Sequence, residues 1–485
     1  RVILAEGRAD AELQHVSSLM TTSLEALRAY LEGERAYRVS AWDDARAAYE
    51  RAVGYDSTFA LAHLRAAQTI GWGDAGSAAV FRHQAAAQRF GERLPNREQA
   101  LLAALSGVSR ADVSALSEAE AAVRRYPDDP DLWNALGELQ FHVGQKAMRP
   151  VEDALESLEQ AASLAPDVAP YWIHIVDYQL SYGDSAAAAE ALEQQRRLLK
   201  DTVESGIYLR HRAGFDLLHG DSASRAQALA LIRDRTVYPS SAMRGPERLE
   251  ASEAWWRALW EEEPRAGPRY ATVLSDRGRM RAALALFPRS TQTGAMLRQT
   301  AVEFGFFPAD SVRDLNWEGD EVGRAFSAIS LQEPDAFARH RAALAEEVRE
   351  WRERNPDSEN GPGDFWLSFL DARWRWAMEG AAAVEDSVLA IYERSPTGSA
   401  DYLLFMMGVL YDELGNDRAA FERYRAAAQT IPLAALRAAR LADRLGDADE
   451  ARRLYQELLI AWADADPEFQ PWLEEARGWL ERVPG

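Results

Sequence analysis

Eight histidines, two lysines and no cysteine limit the chemistry open to this 485-residue chain. Without cysteine there is no disulfide, no zinc thiolate site and no thiol nucleophile. The same absence leaves the compartment open, since a cysteine-free chain suits cytosol and periplasm alike. Neither Lys146 nor Lys200 follows a glycine or lies three places after a serine, which excludes a P-loop and a Ser-x-x-Lys nucleophile, and no G-x-S-x-G or H-E-x-x-H occurs. The histidines are scattered, His211 and His219 being the closest pair, so they read as packing or surface residues. No metal and no other cofactor is expected. Gly71-Trp72-Gly73-Asp74-Ala75-Gly76 satisfies G-x-G-x-x-G, but a dinucleotide site needs that turn between a strand and a helix. Here a helical pattern, Phe59 to Ile70, precedes it and predicts a loop between helices. Asp314 to Asp320 begins like a calcium loop with glycine in sixth place, yet the twelfth position is Ala325 where a bidentate Glu is required. A solvated acidic turn is the expected reading. Carboxylates are abundant, but no sheet or pocket pattern pairs two of them for acid/base work, and the chain is expected not to be an enzyme.

The charge balance narrows the partners. A net charge of −22 opposes phosphate backbones and anionic membrane surfaces, which rules out nucleic acid as a partner. No stretch reaches the ~20 apolar residues of a membrane helix. The nearest, Tyr402 to Tyr411, lies between Asp401 and Asp412 and reads as a core helix, so no membrane insertion is expected within this chain. Arg1 to Asp10 lack both an initiator Met and a signal-peptide core, which predicts a processed or truncated N-terminus.

These residues must be positioned by helices, because the apolar pattern is helical and repeats. Leu404, Met407, Gly408, Tyr411, Gly415, Ala420, Tyr424, Ala427 and Pro432 form the clearest unit. Gly408 and Ala420 are small where two antiparallel helices touch, Tyr411 and Tyr424 fill the space between, and Leu414-Gly415-Asn416-Asp417 supplies C-cap and N-cap. Pro432 is expected to stop the second helix. The pattern returns at Ala439, Leu445-Gly446-Asp447, Ala451, Tyr455 and Leu458, 31 positions later. Further copies run Trp133, Leu136, Gly137, Ala154, Leu158, Ala161 and Pro166, with a longer turn through Gly144 to Pro150; Trp172, Ile175, Gly183-Asp184, Ala188 and Leu192; and Gly33, Trp42, Ala45, Tyr49 and Ala52. Between these blocks, Gly206 to His219, Ser222 to Thr236, Pro246 to Glu262, Pro268 to Phe287, Thr291 to Phe304 and Pro334 to Arg354 keep the helical rhythm without the signature. Asn355 to Gly363 is the best loop in the chain, followed by a further pair at Phe365 to Glu379 and Val384 to Glu393.

The spacing resembles that of tetratricopeptide repeats. The resemblance sharpens at Thr21-Thr22-Ser23-Leu24-Glu25-Ala26-Leu27-Arg28-Ala29-Tyr30-Leu31-Glu32-Gly33-Glu34, with Ala48 to Val53 and Asp56 to Ala62 after it. This segment is similar to the start of the repeat region found C-terminal to kinase, cyclase-like or DNA-binding domains in bacterial signalling proteins. It covers the first 140 residues or so, the generic repeat much of the rest, and it implies a sensory or scaffolding module without the activity of those domains. The expected fold is all-α, a right-handed α-solenoid of antiparallel helix pairs. The expected division is an extension over 1–23, a repeat block over 24–200, degenerate repeats over 201–362 and a second repeat block over 363–485.

Binding is the expected function, with a protein or peptide as partner. In a stack of helix pairs the first helices line a groove. Asn134, Glu138 and Phe141 in one unit and Ile173, Asp177 and Leu180 in the next are the groove candidates. Two lysines cannot supply a carboxylate clamp, and an acidic groove favours a basic or apolar ligand. Trp255, Trp256 and Trp260, and Phe365, Trp366, Phe369, Trp374 and Trp376, are denser than one helix face requires, so Trp255, Trp256, Trp366 and Trp374 are further binding candidates. A small-molecule or glycan receptor using these aromatics, and a self-associating structural protein whose open ends meet head to tail, are the other classes compatible with the pattern.

Overall fold

The computed structural model describes residues 21–74, 78–92, 94–199, 206–235, 237–238, 245–354, 362–395 and 400–483. Among them every regular element is helical, and no helix is long and apolar enough to cross a membrane. The chain forms two compact units, Arg1–Phe215 and Asp216–Gly485.

Unit 1 holds α1 (Leu24–Arg38), α2 (Trp42–Tyr55), α3 (Ala60–Asp74), α4 (Ala78–Gly91), α5 (Asn96–Arg110), α6 (Ala115–Arg125), α7 (Pro130–Val143), α8 (Glu152–Leu164), α9 (Ile173–Tyr182) and α10 (Ser185–Leu198), with the division falling inside α11 (Gly206–His219). Unit 2 continues with α12 (Ser222–Arg235), α13 (Leu249–Glu262), α14 (Gly267–Asp276), α15 (Met280–Leu286), α16 (Gln292–Glu303), α17 (Glu321–Leu331), α18 (Pro334–Arg354), α19 (Pro362–Glu379), α20 (Glu385–Arg394), α21 (Ala400–Glu413), α22 (Asp417–Ala427), α23 (Pro432–Arg444), α24 (Ala448–Ala461) and α25 (Gln470–Arg482). Each unit is a run of antiparallel helix pairs. The expected loop Asn355 to Gly363 falls largely outside the described residues, and Pro362 and Gly363 open α19.

The pairing rests on small residues set against large ones. A Cβ added at Gly33 would lie 2.5 Å from the Tyr49 ring, one at Gly408 would lie 2.5 Å from the Tyr424 ring, and one at Gly137 would lie 2.6 Å from Leu158. Tyr49 and Tyr424 are fully buried, so each fills the notch that its glycine leaves. Turns follow from capping chemistry. Gly415 and Gly446 take φ of 72° and 83°, which glycine tolerates at a C-cap, and the Asn416 and Asp447 side chains then accept from the amides of Ala419 and Glu450. Asp184 caps α10 without left-handed glycine before it, since Gly183 is extended.

Two expectations need correction. Pro432 starts α23 at its first turn, where a missing N–H costs nothing, while the preceding helix already ends at Ala427. The helical stretch Pro268 to Phe287 is broken in two, because Arg277-Gly278-Arg279 turns between α14 and α15 with Gly278 at φ 69°.

If the glycine notch sets the helix separation, Gly408→Ala should destabilise by about 1–3 kcal/mol through overpacking, despite a helix-propensity gain of up to ~1 kcal/mol. In a Tyr424→Leu background the same change should be neutral or stabilising. Chemical unfolding of the four proteins measures the difference.

Candidate functional site

Helix α7 is cut to register by Asp129, whose carboxylate accepts from the Leu132 amide, and by Pro130 at its first position. Leu132, Leu136, Leu139 and Val143 enter the core of unit 1. Asn134, Glu138 and His142 follow at steps of four, so they stack along one side of the helix. Helix α9 presents His174 and Asp177, three residues apart and both buried.

There the two helices bring titratable groups together. His142 Nε2 lies 3.1 Å from His174 Nε2. Glu138 Oε2 is 3.3 Å from His174 Nε2 and 3.8 Å from His142 Nε2. The other His174 nitrogen, Nδ1, is 2.9 Å from Asp177 Oδ2. Asp177 Oδ1 meets His211 Nε2 at 3.0 Å, and His211 Nδ1 meets the Gln195 side chain at 2.9 Å. Phe141 stacks on the His174 ring at 4.2 Å, and the Trp72 ring lies 5.5 Å away. His142 keeps 37% of its side chain exposed, so the cluster reaches solvent on that side. Burial alone would strip the His174 proton, but the Glu138 and Asp177 carboxylates outweigh it and push the imidazole up to about 10. In turn, burial of Glu138 is overcome by His174 and His142, which hold its carboxyl below the usual range.

A second polar network joins the same helix to α1, α3 and α5. Arg65 donates to Glu34 at 3.1 Å and to Asp131 at 3.4 Å. Arg97 donates to Asp129 at 2.6 Å and to Asp131 at 2.9 Å, and the Tyr171 hydroxyl donates to Asp131 at 2.8 Å. Burial works against the Asp131 carboxylate, yet Arg65 and Arg97 hold it well below the usual carboxylate range.

The sequence candidates fall into three settings. Asn134, Glu138 and Asp177 are buried and Phe141 half-buried on the polar face just described, with Asn134 Oδ1 accepting no hydrogen bond from the described residues. Ile173 and Leu180 belong to the apolar core. In unit 2, Trp255 is buried and donates to the Val237 carbonyl, Trp256 is half-buried with its ring 6.4 Å from Tyr238, Trp366 is half-buried beside Phe326, and Trp374 stacks on Phe337 at 4.6 Å. The sequence treated the histidines as scattered and missed the pairing of His142 with His174, 32 residues apart. The signal was present as a Glu and a His four apart on one helix, followed one repeat later by another His.

The motifs that suggested enzymes have structural roles. Gly71 to Asp74 form the end of α3, a correction to the expected loop, while Ala75 and Gly76 lie outside the described residues. In the acidic turn, Asn316 Oδ1 accepts from the Glu318 amide and Asp320 caps α17. A carboxyl of unit 2 is also strongly perturbed. Asp276 is pushed up to about 8, first by burial and then by Asp401, with Arg269 opposing.

No family model and no curated protein matches the sequence. Among solved structures, the chain is similar to the P58(IPK) TPR domain (13% identity, 80% of this chain and 99% of that chain, TM-score 0.23). It is also similar to the APC/C hetero-tetramer Cut9–Hcn1 (12%, 97% and 86%, TM-score 0.28) and to yeast Tom70 (13%, 94% and 96%, TM-score 0.27). Nothing about function follows from likeness at that level.

Three substitutions probe these charges. Arg65→Met removes a buried guanidinium and leaves half-buried Asp131 and Glu34 with less countercharge, and should destabilise by about 1–3 kcal/mol in chemical unfolding at pH 7. The Asp131 pKa is depressed on folding, so its stabilisation is present above the ordinary value near 4 and lost as pH falls. Asp131→Asn should therefore lower stability at pH 7 and shrink the loss seen between pH 5 and pH 3. Asp276 has the opposite sign, because a carboxyl raised on folding favours the fold at low pH and opposes it as pH climbs towards 8. Asp276→Asn should raise the melting temperature at pH 8.5 and leave it unchanged at pH 4.

Proposed function

We propose that the chain is a non-catalytic module of tetratricopeptide-type repeats that binds a protein or peptide through an apolar segment. The observation that carries this reading is a groove of about 410 Å3 between α13, α14 and α15, lined by Trp260, Tyr270, Leu274 and Leu286 and rimmed by Arg257, Glu261 and Arg279. Trp260 is half-buried, with the Tyr270 and Phe287 rings each 5.4 Å from its own, and Leu286 is 43% exposed. A rigid aromatic wall beside an exposed leucine suits the side chain of an apolar anchor residue. Trp256, Trp366 and Trp374, each half-buried in unit 2, are further candidate contacts in this reading. An overall charge of −22 favours partners that are apolar or basic over acidic ones. In this reading the blocks 24–200 and 363–485 are the regular repeat arrays and 201–362 the degenerate one. The sequence around Thr21 to Ala62 supports a place beside a kinase, cyclase-like or DNA-binding domain in a bacterial signalling protein.

Selection of a displayed peptide library on the full chain should yield ligands with a large apolar residue. Their affinity should fall at least tenfold on Leu286→Glu, an exposed position where unfolding should be unaffected, and on Trp260→Ala. Ligands that bind both variants as tightly as the parent, or no selected ligand at all, would overturn the proposal.

A further inference from the structure

Three atoms that can ligate a metal converge at the α7–α9 face from two helices. His174 Nδ1 is engaged by Asp177, while its Nε2 faces Glu138 Oε2 at 3.3 Å and His142 Nε2 at 3.1 Å. The third side of the triangle, Glu138 Oε2 to His142 Nε2, is 3.8 Å. The point equidistant from atoms at these separations lies about 2.0 Å from each, which is the bond length of a zinc-class ion to imidazole nitrogen and carboxylate oxygen. Three such atoms this close are held together by a proton or by a cation, and an ion bound here displaces the proton on His174 Nε2. Spacing on the chain supplies the rest. Glu138 and His142 are four apart on α7, so both reach one side of the helix, and His174 closes the triangle from α9.

We propose that Glu138, His142 and His174 form a binding site for a divalent transition-metal ion of the zinc class. Asp177 completes it from behind, because a carboxylate on the far imidazole nitrogen fixes the tautomer and orientation of a metal-binding histidine. Asp177 is itself held by His211, which bonds to Gln195, so the orienting chain runs from α9 through α11 to α10. Oxygen and imidazole donors without thiolate suit Zn(II), Co(II), Ni(II) or Cu(II) over soft monovalent ions. Three protein ligands leave a fourth position, and it opens on the side where His142 meets solvent. The ion ties α7 to α9 and leaves one coordination place for water or for a donor atom of another molecule. This site lies in unit 1 and is independent of the groove proposed above.

The test uses the full chain, stripped with chelator and dialysed, then titrated with ZnCl2 and separately with CoCl2. Calorimetry should give one ion per chain with a Kd of micromolar or below, the melting temperature should rise with zinc, and Co(II) should develop the visible absorption of a low-symmetry nitrogen and oxygen site. His142→Ala changes a partly exposed residue and should fold, yet weaken binding by about 100-fold or more. Glu138→Gln keeps the shape of the buried side chain and should weaken it strongly as well, while Asp177→Asn, acting through His174, should cost about 10–100-fold. His340→Ala, at a histidine held elsewhere by Glu321, should change nothing. Absence of stoichiometric binding below 100 µM metal, or equal affinity of His142→Ala and the parent, would overturn the proposal.

Discussion

The distance between the two helices of a pair governs everything else in this chain. Where Gly33 or Gly408 leaves a notch and Tyr49 or Tyr424 fills it, the helices approach until the ring lies against backbone. A side chain larger than hydrogen would push the helices apart by a few tenths of an ångström at least. That separation is repeated along the stack, so it also sets which residues of one pair face those of the next. The tyrosines are more than filler. The Tyr49 hydroxyl donates to Glu34 at 2.8 Å, and Tyr424 accepts from Arg437 at 2.9 Å, so the ring that fixes the pair also anchors a charge.

Stacked pairs convert a sequence period into spatial contact. Arg65 and Glu34 are 31 residues apart, His142 and His174 are 32, Arg97 and Asp131 are 34, and Arg440 and Glu475 are 35. Each is a side chain on the first helix of one pair, or its approach, touching the equivalent position of a neighbour. Partly buried pairs of this kind contribute little net stability, because desolvation and side-chain ordering offset the attraction. Their effect is on register. A slipped stack would leave Arg65 buried without a partner, at roughly 3–5 kcal/mol, whereas an apolar stack could slide more cheaply.

This explains what was legible in the residues and what was not. Helix positions were legible, with Gly206–His219 and Pro334–Arg354 bounded in the sequence as they are in the structure, because apolar period and capping chemistry are local. Pro432 was misread because proline is compatible with the end of one helix and with the first turn of the next, and only the position of Ala427 decides between them. Asn134, Glu138 and Asp177 were named as groove candidates from their helical spacing alone. Their burial was not legible, since it depends on how closely α7 and α9 approach. The histidine cluster was hidden for the same reason, as a scan for ligands within one helix or loop never compares residues 32 apart.

In a repeat protein the useful scan is therefore along the period. A polar residue on a first helix has its chemical neighbours about 31–35 residues away, as well as three or four away on its own helix. Both spacings are needed to build the Glu138, His142 and His174 triangle, with the step of four giving two donors and the step of 32 the third. Neither spacing alone makes a site, since a single helix face cannot surround an ion. It follows that such a fold can acquire convergent chemistry by point changes at equivalent positions of adjacent repeats, without a loop insertion or a pocket. The constraint is the helix separation. His142 and His174 oppose each other only while the α7 pair keeps the spacing that Gly137 allows against Leu158.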